Sequence, residues 1–191
     1  AQGLIRDAEI EATLRAYTNP LLQAAGLEPA DVHLYIVNDS SVNAFVAGGQ
    51  NIFVHTGLIM EADTPNEIIG VLAHETGHIS GGHGARRSQD MQRALGPMLL
   101  SIGLGVLAIA AGAPDAGAAL ISGSQAFGMG EIVRHTQVQE SSADQAAVQF
   151  LDSTGQSGRG LISFFNTQIR PYEFMTRRAP PWMMTHPFSS D

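Results

Sequence analysis

The sequence predicts an α+β fold that is mainly helical and contains a small β-sheet. Long segments with apolar residues at helical spacing surround three short runs of β-forming residues between positions 33 and 54. At 191 residues the chain is long enough for one well-packed domain, so we expect a single domain over 1–191. In the expected arrangement, an edge strand of the sheet lies beside a long capped helix that begins near residue 65.

The first segment has a helical pattern. Apolar residues recur at roughly helical spacing from Leu4 to Ala25, and Pro20 is expected to divide this segment into two helices. Gly26 and Pro29 then indicate a stop.

Three strands are predicted next. Residues 33–37 are rich in β-formers and are followed by four turn-forming residues. Residues 44–46 and 52–54 are two further strand-like runs, and the intervening segment 48–51 reads Gly-Gly-Gln-Asn. This spacing is typical of a β-hairpin.

A helix with a strong start signal follows the hairpin. Thr64 is a suitable N-cap, Pro65 occupies the first helical position, and Glu67 completes a capping box. The Gly81-Gly82 pair should end this helix near residue 80.

The middle of the chain has unusually few charges. No charged residue occurs in 95–113 or in 116–130, and Asp115 separates the two runs. We expect a Gly/Ala-rich helical hairpin over 95–130 that packs on the domain or on a membrane surface. A membrane span or a re-entrant loop is the alternative, because nineteen uncharged residues reach the lower limit for crossing a bilayer.

Two helices and a tail complete the prediction. Residues 131–151 form a second long helix candidate, and 161–169 form an amphipathic helix. An irregular tail begins at Pro180 and carries His186.

Composition excludes several classes of function. The formal net charge is −8, and no cluster of basic residues exceeds an Arg-Arg pair, so a nucleic-acid partner is not expected. The chain contains no cysteine, which excludes disulfides and thiolate metal sites. Residue 1 is Ala and no export signal follows it, so we expect a mature or trimmed chain from which any export signal has been removed.

The motif His74-Glu75-Thr76-Gly77-His78 carries the main functional signal. Residues four apart share one face of a helix, so His74 and His78 can supply two ligands of a tetrahedral zinc ion. Glu75 is displaced by about 100° around the helix. It is therefore suited to act as a general base on an activated water rather than as a ligand.

A catalytic zinc ion needs a third protein ligand and an open fourth position. His83 is one residue out of register with the His-x-x-Gly-x-x-His pattern of some zinc peptidases, and we interpret it as a surface or loop histidine. Glu140 is the better candidate. Asp144 follows one helical turn later, where it can accept the free N–H of a ligating imidazole, most plausibly that of His74.

With these motifs in place, the sequence resembles the gluzincin zinc metallopeptidases related to HtpX and the CAAX prenyl proteases, particularly their periplasmic BepA-like branch. The resemblance covers roughly residues 32–187 and rests on four segments. These are Asn43-Ala44-Phe45, the motif at 74–78, Glu140 to Asp144, and Thr185-His186-Pro187.

The resemblance implies a zincin-like fold and one zinc ion held by His74, His78 and Glu140, with Glu75 as base and Asp144 behind a ligand. It also implies endopeptidase activity on membrane-associated or misfolded envelope proteins in the bacterial periplasm. The helical repeats that usually follow in the BepA-like branch are missing from this sequence.

Two further site elements remain expectations. The substrate should extend along the edge strand that begins at Asn43, Ala44 and Phe45. His186 has two alternative roles: it stabilises the oxyanion of the reaction, or it occupies the fourth zinc position and holds the enzyme off.

Two other functional classes are open at this stage. One is a catalytically silent zinc-binding chaperone or interaction module, although such a protein has no use for Glu75. The other is a small integral membrane protein, which rests only on 95–130.

Overall fold

The computed structural model describes residues 3–169 together with Trp182 and His186, and gives backbone only at residues 87, 88, 90, 94, 127, 131, 133 and 169. The rest of the irregular tail predicted from Pro180 lies outside the described residues. Contacts divide the chain into two compact units, Ala1–Gly84 with Gln139–Asp191, and Ala85–Val138.

The sheet of the first unit has four strands in the spatial order β1-β2-β4-β3. They are β1 (Leu4–Ile5), β2 (His33–Val37), β3 (Ala44–Ala47) and β4 (Asn51–His55). Strands β2 and β4 are parallel, whereas β1 pairs antiparallel with β2 and β3 pairs antiparallel with β4. The predicted hairpin is therefore correct, and β3 is an edge strand of the described sheet.

The helices of the described chain come in this order: α1 (Ala8–Ala24), α2 (Thr56–Glu61), α3 (Pro65–Ser80), α4 (His83–Ala110), α5 (Pro114–Ser153) and α6 (Arg159–Phe164). A 3₁₀ turn covers Pro29–Asp31, and a π-helical segment, Phe165–Ile169, follows α6. The structure thus confirms a mainly helical α+β fold with a small mixed sheet.

The N-terminal prediction of two helices is wrong. Leu4 and Ile5 form β1, and a single helix α1 continues through Pro20. Asp7 caps α1 by accepting hydrogen bonds from two backbone amides, each at 3.0 Å. Proline removes one helical hydrogen bond, but burial of Leu21 and Leu22 directly after it anchors the end of the helix in the core.

Helix α3 has the predicted bounds but a different cap. Thr64 makes no side-chain capping hydrogen bond. Glu67, which is buried, accepts instead from the backbone N–H of Asp63 at 2.8 Å and from the Ser163 hydroxyl at 2.6 Å. The first turn of α3 is thereby tied to α6.

Apolar residues from the sheet, α1, α3 and α6 form the core of this unit, and α3 contacts both β3 and α6. Gly70 lies so close to α6 that a Cβ there would come within 2.8 Å of the backbone nitrogen of Leu161. This close packing fixes α3 between α6 and the edge of the sheet.

Helices α4 and α5 supply the second unit. Helix α5 begins 17 residues before the predicted start at 131, because glycine weakens a helix without ending it and Pro114 is favourable at the first position. A Cβ on Gly105 of α4 would lie 2.8 Å from the carbonyl oxygen of Gly117 in α5, so small residues allow close helix contact. By length and apolar composition, α4 is the described helix that could cross a membrane.

Candidate metal centre

The candidate metal centre is built on two helices, α3 and α5. His74 and His78 lie one turn apart on α3, and their Nε2 atoms are 3.0 Å apart. Glu140 on α5 brings one carboxylate oxygen to 3.2 Å from His74 Nε2 and the other to 3.4 Å from His78 Nε2. The three residues predicted as ligands therefore converge, with His74 and Glu140 buried and His78 half-buried.

A glycine makes this convergence of the two helices attainable. A Cβ on Gly77 would lie 2.7 Å from the backbone oxygen of Ala143 and 3.0 Å from its Cα. Only a residue without a side chain fits this contact, so α5 can approach α3 closely enough for Glu140 to face the histidines. The sequence reasoning assigned no role to Gly77.

The donor set fits a zinc ion. Four ligands at about 2.05 Å in a regular tetrahedron lie about 3.4 Å from one another. The three measured separations, 3.0, 3.2 and 3.4 Å, are close to that value. Two imidazoles and one carboxylate are also a ligand combination found in catalytic zinc sites.

Asp144 lies where the sequence predicted it, one turn after Glu140. Its Oδ1 is 2.8 Å from Nδ1 of His74, on the side of the ring away from the donor cluster. A carboxylate at this position accepts a hydrogen bond from the proton on Nδ1, so that loss of the second ring proton, the one on Nε2, makes that nitrogen available to a metal.

Glu75 is completely buried, yet neither of its carboxylate oxygens makes a well-aligned hydrogen bond with another described residue. Nε2 of His186 lies 3.1 Å from Oε1 of this carboxylate. Buried polar atoms are normally hydrogen-bonded, so a carboxylate left in this state beside a donor cluster indicates a chemical role.

His186 is buried beside the cluster. Its ring centroid lies 5.1 Å from that of His74 and 5.4 Å from that of His78. His186 and the three predicted ligands each offer one potential metal-ligand atom. These four atoms all lie within 4.8 Å of one another. Trp182 stacks on His186 with centroids 4.1 Å apart and planes at 17°. Beyond the presence of one tryptophan near the Thr-His-Pro motif, no feature of the sequence predicts this stack.

The prediction that His83 is a surface or loop residue is wrong. His83 is the first residue of α4, is only 5 % exposed, and places its Nδ1 2.9 Å from Nδ1 of His78. Gly82 has φ +63°, a left-handed conformation that turns the chain back towards α3. The Gly-Gly pair is the sequence signal for this return, in addition to the helix end that it predicts.

Burial and neighbouring groups shift the pKa values of three residues in the cluster. Burial lowers the pKa of His74, but hydrogen bonds with Asp144 and Glu140 more than offset this effect and raise the pKa to about 10. Burial raises the pKa of Glu140, whereas its contacts with His74 and His78 lower it to about 2. Burial also raises the pKa of Glu75, but His186, His78 and His74 together more than offset this effect, so the net shift of the pKa is downward. Both glutamates are thus carboxylates at neutral pH.

The residues predicted to contact substrate lie on the sheet edge beside α3. Asn43 and Ala44 are buried and Phe45 is half-buried, with its ring stacked on Phe53 at a centroid distance of 5.2 Å. The backbone oxygen of Asn43 accepts a hydrogen bond from the N–H of His55, so this pair belongs to the ladder with β4.

Comparison with known proteins gives an independent result for the whole chain. The model of peptidase family M48 matches residues 8–191. The chain belongs to peptidase family M48. The resemblance inferred from the motifs is therefore confirmed at the level of the family.

Relatives within the family agree with the BepA-like branch. The beta-barrel assembly-enhancing protease of Yersinia pestis is 30 % identical over 184 residues, which cover 96 % of this chain and 37 % of that protein. Its Escherichia coli K12 counterpart is 27 % identical over the same shares. Metalloprotease LoiP of E. coli K12 is 30 % identical over 164 residues, covering 83 % of this chain and 59 % of that protein. The chain thus spans less than two fifths of the length of the two assembly-enhancing proteases.

Proposed function

We propose that this M48 chain is a zinc-dependent endopeptidase domain in which His74, His78 and Glu140 hold one zinc ion and Glu75 is the general base. The observation that carries the proposal is the buried Glu75 carboxylate, which has no well-aligned hydrogen bond within the described structure, contacts His186 at 3.1 Å and lies beside three converging donors. A purely structural zinc site has no need of such a group, and it would be costly to keep there without a function.

The mechanism assigns each residue a separate task. A zinc ion at the three donors supplies a Lewis acid that makes water more acidic and polarises a peptide carbonyl. Glu75, ionised because its pKa is lowered, accepts a proton from the attacking water and delivers it to the leaving amine. Asp144 keeps His74 in the tautomer that presents Nε2 to the metal.

The two roles considered for His186 make different demands on its contact with Glu75. As an oxyanion donor, His186 would have to leave Glu75 and direct an N–H at the carbonyl oxygen of the substrate. As a fourth ligand, it would keep its place beside the cluster and exclude water. We favour the second, closed form for this conformation, since the His186 ring is already buried against both histidines and stacked on Trp182.

The substrate is proposed to add a strand to β3. Along an antiparallel strand, residues whose backbone N–H and C=O face the partner strand alternate with residues whose backbone groups face away from it. The backbone oxygen of Asn43 faces β4, so the backbone groups of Ala44 and Val46 face the open edge of the sheet. Val46 is the more accessible of these two residues. A Val46→Pro variant should raise KM and leave kcat nearly unchanged, whereas Val46→Ala, which keeps the N–H, should behave like the parent.

The experiment that tests the proposal compares Glu75→Gln with the parent on casein. General-base loss should lower the rate by about 10²–10⁴-fold while one zinc per chain is retained. Glu61→Gln, an identical change at an exposed helix end, is the control and should leave the rate unchanged. A Glu75→Gln variant that cleaves casein normally would refute the assigned base. A parent that binds zinc but never cleaves would favour the zinc-binding chaperone module.

The biological setting is also a proposal. The names of the relatives refer to assembly of β-barrel proteins, so we propose a role in envelope protein quality control in the bacterial periplasm, on protein substrates. We further propose that 1–191 acts as one metallopeptidase domain into which the 95–130 hairpin is inserted.

Peripheral membrane contact through 95–130 is supported by exposed apolar side chains on α4. Leu100 and Leu107 are each 66 % exposed, and exposure of such residues together is uncommon in soluble monomers. Exchange of both for Gln should reduce co-sedimentation of the full chain with phosphatidylethanolamine–phosphatidylglycerol vesicles. Met60→Gln, at an 80 % exposed site in α2, is the control. Absence of the parent from the vesicle pellet would contradict the proposal.

A further inference from the structure

The two histidines of α3, His74 and His78, have different kinds of residue next to their Nδ1 atoms. Nδ1 of His74 faces the carboxylate of Asp144. Nδ1 of His78 faces Nδ1 of His83, a second imidazole, at 2.9 Å. Both contacts lie on the ring edge opposite Nε2, the atom that faces the donor cluster. His83 therefore occupies the same position relative to His78 as Asp144 occupies relative to His74.

We propose that His83 is a positioning residue for the metal centre, an inference that rests on the proposed function. An imidazole that binds zinc through Nε2 must carry its proton on Nδ1. Nδ1–H of His78 then donates to the lone pair on Nδ1 of His83, which holds its own proton on Nε2. The contact fixes both the tautomer and the ring orientation of His78.

The local backbone is shaped to bring His83 to this position. Gly82, at φ +63°, reverses the chain directly after α3. Gly81 lies against the imidazole, and a Cβ there would come within 2.8 Å of both Cδ2 and Cε1 of His83. Two adjacent glycines are therefore needed, one for the turn and one for the space that the ring occupies.

The packing of His83 agrees with a positioning role. Its ring centroid is 5.1 Å from that of His78, with the planes at 77°, and the residue is 5 % exposed. A buried, edge-on imidazole can hold a neighbouring ring in one rotamer, whereas an exposed one could not. As an imidazole, His83 can orient His78 without adding a fourth carboxylate to Glu75, Glu140 and Asp144.

Three variants test this role through the apparent zinc affinity, measured by competition with a chromophoric chelator at fixed pH. His83→Leu keeps apolar volume but removes the acceptor, and should weaken zinc binding by about 10–100-fold. His83→Asn, whose Oδ1 can replace Nδ1 as acceptor, should bind zinc nearly as the parent does. Gly81→Ala should displace the ring and weaken binding as His83→Leu does.

Gly84→Ala is the matched control, since a Cβ at Gly84 meets nothing within 4 Å and its φ is not left-handed. It should leave zinc affinity unchanged. Thermal unfolding of the zinc-free forms identifies any variant that fails to fold; if His83→Leu does so, the comparison of Gly81→Ala with Gly84→Ala decides the test.

Parental affinity in folded His83→Leu would overturn the inference, as would an equal loss in His83→Asn, because packing alone would then explain the contact. These results leave the proposed function intact. A parent chain that binds no zinc would instead overturn the proposed function and the inference with it.

Discussion

Gly77→Ala is the substitution whose effect on the metal centre follows most directly from the geometry. The new Cβ would lie 2.7 Å from the backbone oxygen of Ala143, whereas ordinary contacts begin at 3.4 Å. Helices α3 and α5 must therefore move apart by about 0.7 Å, the difference between these distances. Zinc–ligand distances are held within about 0.2 Å, so Glu140 would be carried out of bonding range of a zinc ion on the two histidines.

The expected effect on stability is smaller than the effect on zinc. Overpacking lowers the free energy of unfolding by about 1–3 kcal/mol, whereas replacement of a helical glycine by alanine raises it by up to about 1 kcal/mol. Loss of a correctly placed ligand should weaken zinc binding by at least about tenfold, as the loss of even an outer partner does. Competition with a chelator measures zinc affinity, and thermal unfolding of the zinc-free protein measures stability.

Gly70→Ala is the matched control on the same helix. Its Cβ would meet the backbone of Leu161 at 2.8 Å, a comparable overlap directed at α6 instead of α5. It should lower stability and leave zinc affinity near the parental value. Parental zinc affinity in Gly77→Ala would refute the reasoning, and so would an equal loss of affinity in both variants.

Three further outcomes are expected. Asp144→Ala, which removes the acceptor for the N–H of His74, should weaken zinc binding by about 10–100-fold without lowering the unfolding temperature, since that side chain is 45 % exposed. Unchanged affinity in chelator competition would contradict this. Zinc binding at pH 8 should release close to one proton from His74, because the pKa of His74 is about 10 before zinc displaces its proton, and this release should fall as the pH rises towards 10. Calorimetry in buffers of different ionisation heat measures the number of protons released, and no release at pH 8 would contradict the expectation. His186→Ala should change the emission intensity of Trp182, the single tryptophan, and the casein rate; unchanged fluorescence would contradict the stack, and an unchanged rate at unchanged zinc content would exclude both roles of His186.

The sequence predicted those parts of the fold that local signals determine. The bounds of α3 follow from Pro65 and the glycine pair, and the hairpin of β3 and β4 follows from its Gly-rich turn. Strand β1 has only two residues and exists through pairing with β2, so no local pattern could reveal it. Continuation of α1 through Pro20 likewise depends on burial in the tertiary structure.

The residues of the candidate site also divide into those that local spacing predicts and those that depend on tertiary contacts. His74, Glu75 and His78 follow from helical spacing, and Glu140 with Asp144 could be chosen because one helical turn separates them. The roles of Gly77 and His83 depend on contacts between elements distant in space or turned by an unusual backbone angle. Spacing along a helix does not indicate where a helix crossing requires a residue without a Cβ. His83 is one residue out of register with the His-x-x-Gly-x-x-His pattern, so that pattern predicts no role for it.

The most direct measurement of the central claim is the anomalous scattering of crystals grown with zinc, recorded on both sides of the zinc absorption edge. The account predicts one peak per chain, with Nε2 of His74, Nε2 of His78 and a carboxylate oxygen of Glu140 at about 2.0–2.2 Å. A peak coordinated without Glu140, or a zinc ion ligated by Glu75, would contradict it.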